Sequence, residues 1–258
     1  MAAVVFMSVF RFSSPHTFYP LAGKLIAPFA LLAAVLSAAG LYIGFFLAPA
    51  DAVQGEVYRI LYLHVASAWM SMFIYVVMAL WSAVGLGLGT RLSFYMAQAL
   101  APTGALFCFI ALWSGALWGR PTWGAYWVWD ARLTSELLLL FLYCGYLALT
   151  RSIDDPRRAD RAGALLALVG VVNVPIIYFS VRWWNTLHQG ASLTAGKSSM
   201  AHIMLCAMLL TVAGCWCYCV AASLARVRRI ILERERHTHW GAAEIARLGG
   251  AQHPAGAA

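Results

Sequence analysis

Two histidines, His64 and His188, each stand at the edge of an apolar run and close to aromatic residues. His64 ends the stretch Tyr58-Arg59-Ile60-Leu61-Tyr62-Leu63-His64, and His188 follows Trp183-Trp184-Asn185-Thr186-Leu187. Imidazole is a strong iron ligand, and two imidazoles from different helix ends can hold a flat macrocycle, one on each side of its metal. Either histidine alone fits better as a capping or hydrogen-bonding residue at a membrane interface. The pair is more telling, because a tryptophan-rich segment lies between them: Trp118, Trp123, Trp127 and Trp129, with Trp113 just before. Trp enrichment at both interfaces is ordinary in a membrane protein. Here, with Trp183 and Trp184, seven of the eleven tryptophans fall on one side, which favours a platform for a large planar apolar ligand.

Five cations flank the same segments: Arg59, Arg120, Arg132, Arg182 and Lys197. Haem carries two propionates, and the planar fork of arginine suits carboxylates. Local pairing with Asp51, Glu56, Asp130 or Glu136 is the alternative for each cation. Glu136 itself is expected at the rim of the site, and His202 is expected to be structural. His16, His237, His239 and His253 lie in lead or tail segments on the opposite face. The six cysteines lie within apolar runs without CxxC or CxxCH spacing, so they are expected to pack as small apolar groups.

Positioning these residues falls to helices in lipid. Of the 258 residues, 62% are hydrophobic and 11% charged, less than half the charged fraction usual in soluble domains. Six apolar runs stand out, at residues 25–47, 65–86, 97–117, 135–149, 163–179 and 201–224. Each is too long and too uniformly apolar for a barrel strand, so the expected fold is all-α, a polytopic membrane protein with six transmembrane helices. The chain is read as one transmembrane domain, 1–258, with a tryptophan-rich loop at about 118–134 and a tail at about 225–258. Residues 1–12 lack a basic start and a small-residue cleavage site, and are not read as a signal peptide.

The net charge of +8 comes from short basic segments between the runs rather than one stripe, which argues for membrane orientation and against nucleic acid. One face, formed by the termini and the second and fourth loops, holds thirteen Lys and Arg residues; the other holds five. The positive-inside bias places both termini in the cytoplasm. Parity then brings loops 51–64, 118–134 and 182–197 out together on the outer face.

Residues 118–134 closely resemble the tryptophan-rich WWD signature of a family of haem-handling proteins. With residues 58–64 and 183–190, the chain is similar to the cytochrome c maturation protein C (CcmC) family over about residues 40–200. It departs from the family pattern at Ala66, where Pro is frequent, and over 192–202. The resemblance implies haem b bound non-covalently at the WWD loop, with His64 and His188 as axial ligands. Trp118, Trp123, Trp127, Trp129, Asp130, Arg59 and Arg132 then form the site around it. It also implies an inner-membrane location, delivery of haem to the periplasmic chaperone CcmE, and partnership with the ATPase subunit CcmA and the membrane subunits CcmB and CcmD. No P-loop occurs in the chain, so ATP hydrolysis is expected in a partner and an enzymatic role is not expected here. Two other readings are a haem lyase of the larger WWD type, whose extra helices and long outer segments have no room in this chain, and a haem permease. A permease needs a polar route that the apolar runs, with few ionisable groups, do not suggest.

Overall fold

The computed structural model describes residues 12–188, 193–194, 197–198 and 200–252. The opening residues 1–11, and Gln189 and Gly190 of the motif following Trp183, lie outside the described residues. The elements are α1 (Pro15–Tyr42), α2 (Leu61–Leu88), α3 (Arg91–Trp123), α4 (Ala131–Ser152), α5 (Pro156–Gly170), α6 (Asn173–Trp183), α7 (His202–Glu235) and α8 (His239–Gln252). Six helical stretches are long and apolar enough to cross a membrane: α1 with its π-helical extension Ile43–Leu47, α2 with the 3-10 turn Glu56–Ile60 before it, α3, α4, α5 with α6, and α7. A two-residue antiparallel ladder, β1 (Leu193–Thr194) with β2 (Lys197–Ser198), lies between α6 and α7.

Each crossing is longer than its apolar run. At 33 residues, α3 extends for about 50 Å against a hydrocarbon core of about 30 Å, so its ends reach past the lipid tails. There, charged residues such as Arg91 and Arg120 can continue a helix that a hydropathy window cuts short. The same extension changes the tryptophan-rich loop: residues 118–123 complete α3 and 131–134 begin α4, leaving only 124–130 non-helical. His64, expected just before the second helix, lies inside the first turn of α2.

Packing follows small residues. α1 lies along α7, and a Cβ at Gly40 would stand 2.7 Å from the Thr211 backbone nitrogen. At Gly214 it would stand 2.7 Å from the Ser37 nitrogen, so the two backbones approach as closely as small-residue interfaces allow. α2 and α3 form a hairpin around Gly89, which ends α2 at φ +66°. The central core joins Met70, Ile74 and Met78 of α2 to Leu100 and Phe107 of α3, Leu139 and Tyr143 of α4, and Ile177 of α6. The Tyr143 hydroxyl donates to the Ser71 carbonyl at 2.8 Å, satisfying a polar group deep among these helices.

The fifth crossing, expected to be continuous, is broken at Val171 and Val172. Pro175 has no N–H to offer the Val171 carbonyl, which instead accepts from the Val174 N–H at 3.0 Å in a tighter turn. The Asn173 side chain donates to the Ser135 carbonyl at 2.9 Å and ties α6 to the first turns of α4. At the end of the bundle where α3 starts and α7 finishes, Arg91 pairs with buried Glu235 at 2.8 Å and Arg234 with Asp160 at 2.8 Å. The start of α2, the end of α3, the start of α4 and His188, which follows α6, meet at the other end, around a cavity.

Candidate functional site: an aromatic cavity between two histidines

The cavity is lined mainly by apolar and aromatic side chains with a few polar groups converging on it, the make-up of a ligand-binding site. His64 and His188 both line it, with ring centres 6.3 Å apart and planes inclined by 36°. With imidazole–metal bonds of about 2 Å and ring centres about 1 Å beyond, two imidazoles on opposite sides of one metal stand about 6 Å apart. The observed spacing therefore fits a single metal held between the rings. Trp123 lies 6.2 Å from His188, and Trp118 meets His64 edge-on at 5.5 Å, so aromatic walls flank both histidines.

Local structure aims these groups. In the loop before α2, the Asp51 carboxylate accepts the N–H groups of Val53 and Gln54 at 2.9 and 2.8 Å. This turn, completed by Gly55 at φ +60°, presents the Gln54 side chain to the cavity, where it accepts from Trp118 Nε1 at 2.7 Å. Gly124 ends α3 at φ +81°, and Asp130 then caps α4 by accepting the Leu133 N–H at 2.8 Å. Between those two punctuation marks runs the short segment that carries Trp127 into the cavity wall. Trp127 Nε1 and Asp130 Oδ2 are buried with no hydrogen-bond partner among the described residues. An orphaned indole N–H beside an apolar cavity fits a site built to face an acceptor on a ligand.

The sequence candidates separate here into two groups. His64, His188, Trp118, Trp123, Trp127 and Arg132 line the cavity. Arg132 also anchors α4 to α6 by donating to the Ile177 carbonyl at 2.8 Å. Trp129 is 78% exposed and meets the edge of Trp127 from outside, and Asp130 acts on the loop as a cap. Arg59 points to the end of the first crossing, where it donates to the carbonyls of Gly44 and Ala48 at 2.7 and 2.9 Å and pairs with Glu56. For Arg59, then, local pairing and helix-end capping account for the contacts seen. Arg120 closes the end of α3 on the Gly124 carbonyl and lies over the Tyr126 ring. Trp113, Trp183 and Trp184 are exposed, as interfacial anchors are.

Glu136, expected at the rim, is 6% exposed and lines the cavity from within the bundle. Its Oε1 accepts from Ser71 at 2.8 Å and from the Cys108 thiol at 3.4 Å, while Oε2 has no partner among the described residues. Its signal in the sequence was an acid inside an apolar helix. Gln54, Ser114 and Gly115 carried no such signal, since each is unremarkable in type and far from its partner along the chain. His202 opens α7 beside Leu205, Cys206 and Leu209, in a separate surface groove.

Six crossings and a histidine-paired aromatic cavity at one end of the bundle define a multi-pass membrane protein with a candidate ligand site between its helices. The chain belongs to the family described as Heme exporter protein C, whose model matches residues 8–242. It is 44% identical to Heme exporter protein C of Escherichia coli strain K12 over 235 residues, covering 91% of this chain and 95% of that one. It is 45% identical to Heme exporter protein C of Bradyrhizobium diazoefficiens, covering 88% and 87%. A putative cytochrome c biosynthesis ccmC-like mitochondrial protein of Marchantia polymorpha is 40% identical over 197 residues, 76% of this chain and 84% of that one.

Proposed function

We propose that this protein takes part in haem export for cytochrome c biogenesis by binding haem b non-covalently in the cavity, with His64 and His188 as the two axial ligands. The observation that carries the reading is the 6.3 Å separation of the two rings across one aromatic cavity. When bound, the ligand supplies an iron centre that accepts both imidazoles. The chain's own residues do the rest. Trp118, Trp123 and Trp127 cover apolar macrocycle surface, and Arg132 offers its guanidinium to a propionate. Trp129 and Asp130 shape the exposed rim of the loop, and Arg59 steadies the neighbouring helix end.

The cavity faces the periplasm in the bacterial inner membrane, and its open rim is where haem passes to the chaperone CcmE. CcmA, CcmB and CcmD act alongside it, with ATP hydrolysis in the ATPase subunit. The role is binding and delivery rather than bond-making. Purified full-length protein should show the spectrum of low-spin iron with two nitrogen ligands. His64→Ala and His188→Ala should each convert that spectrum, while His202→Ala should not. Wild-type spectra from both single variants would remove these histidines as ligands.

A further inference from the structure

His64 lines the cavity, and one of its two ring nitrogens is held by α3. Its Nδ1 lies 3.1 Å from the hydroxyl oxygen of Ser114, a residue buried completely against it. The direction of that bond follows from a second one. Ser114 also lies 2.6 Å from the Ile110 carbonyl, one turn back, and a carbonyl only accepts. The single hydroxyl proton is committed there. Toward His64, Ser114 has only lone pairs to offer, so the proton between them belongs to the imidazole.

Space is arranged to match. A Cβ at Gly115 would lie 2.9 Å from His64 Cε1 and 3.4 Å from Nδ1, but 3.9 Å from Nε2. The Nδ1–Cε1 edge is thus pressed into the notch left by a glycine, and the Nε2 corner stands away from α3. We propose that Ser114 is a positioning residue for His64: by accepting the Nδ1 proton it fixes the imidazole as the Nδ1–H tautomer, so that Nε2 alone is presented to the cavity as a lone pair. A ring held this way is pre-oriented for a metal, and the hydrogen bond from Nδ1–H makes Nε2 a stronger donor. The inference depends on the haem-ligand reading for its purpose, but the tautomer is a property of the protein without haem.

The experiment therefore begins on haem-free, full-length protein in lipid nanodiscs, labelled with 15N-histidine. The His64 signals are assigned by their loss in His64→Ala. Wild type should show a protonated Nδ1 and an unprotonated Nε2 at His64. Ser114→Ala should give a mixture of tautomers, and Ser114→Thr, which keeps the hydroxyl, should restore the wild-type pattern. On loading haem, Ser114→Ala should retain it about tenfold more weakly, the lower end of the usual effect of losing such a partner, with a reduction potential moved to more positive values. A wild-type His64 carrying its proton on Nε2 overturns the proposal, as does a Ser114→Ala protein identical to wild type in tautomer and in haem retention. A haem spectrum indifferent to His64→Ala would instead remove the ligand assignment and leave the tautomer result standing.

Discussion

Trp127 and Trp129 are two residues apart, yet Trp127 faces the cavity while Trp129 is 78% exposed and touches Trp127 edge-on at 5.3 Å. Their substitutions should differ accordingly. Each aromatic contact to a ligand contributes about 1 kcal/mol, or roughly fivefold in affinity, so Trp123→Ala and Trp127→Ala should each weaken haem capture by that order. Trp129→Ala should affect capture less and hand-over more. Haem covalently attached to the chaperone, measured in cells with equal membrane abundance of each variant, reports the second step; titration of purified protein reports the first. Undiminished chaperone loading in a variant lacking Trp123, Trp127 and Trp129 together would show that this segment serves as a membrane anchor.

The elements that carry the site depend on their end residues. Asp130 caps α4, from whose first two turns Arg132 and Glu136 reach the cavity. Asp130→Ala should cost about 1 kcal/mol of local stability and loosen the 124–130 segment, seen as faster amide exchange at Leu133 and weaker haem retention. Away from the site, Asp155 caps α5: the N–H of Arg158, and then that of Arg157, hold its carboxyl below the usual carboxylate range. A folded-state value below the unfolded one means that the capping contribution is present at neutral pH and fades as pH falls through the acidic range. Amide exchange at Arg157 and Arg158 should therefore quicken, relative to α5's interior, on acidification. Asp155→Asn, which keeps a capping oxygen without the charge, should flatten that pH dependence.

For the whole molecule, thirteen of the eighteen Lys and Arg residues fall on one face by the loop count, and two of them form ion pairs at that end, Arg91 with Glu235 and Arg234 with Asp160. The histidine cavity lies at the other end of the same helices. Six crossings with the basic end in the cytoplasm predict that a reporter fused after Asp155 reads cytoplasmic and one fused after Ser192 reads periplasmic. The reverse pattern, or both reporters on one side, would overturn the orientation and place the site on the wrong face for periplasmic delivery.

Composition and apolar run length were enough by themselves to determine a six-helix membrane fold, because a chain in lipid must satisfy its backbone within each crossing. Loop parity likewise brought His64, the tryptophan segment and His188 to one end. Where runs ended in charge, the sequence understated the helices, since a projecting end tolerates ions that a hydropathy window counts against it. Only the tertiary structure divided the candidates, setting Trp127 inward and Trp129 outward, turning Arg59 to a helix end, and sinking Glu136 below the rim. Those outcomes depend on how neighbouring backbones rotate and how closely they approach, as at Gly115 beside His64. The pairing of Ser114 with His64 spans fifty residues and rests on one glycine's missing side chain. No local pattern encodes such a contact; it exists once α2 and α3 have packed.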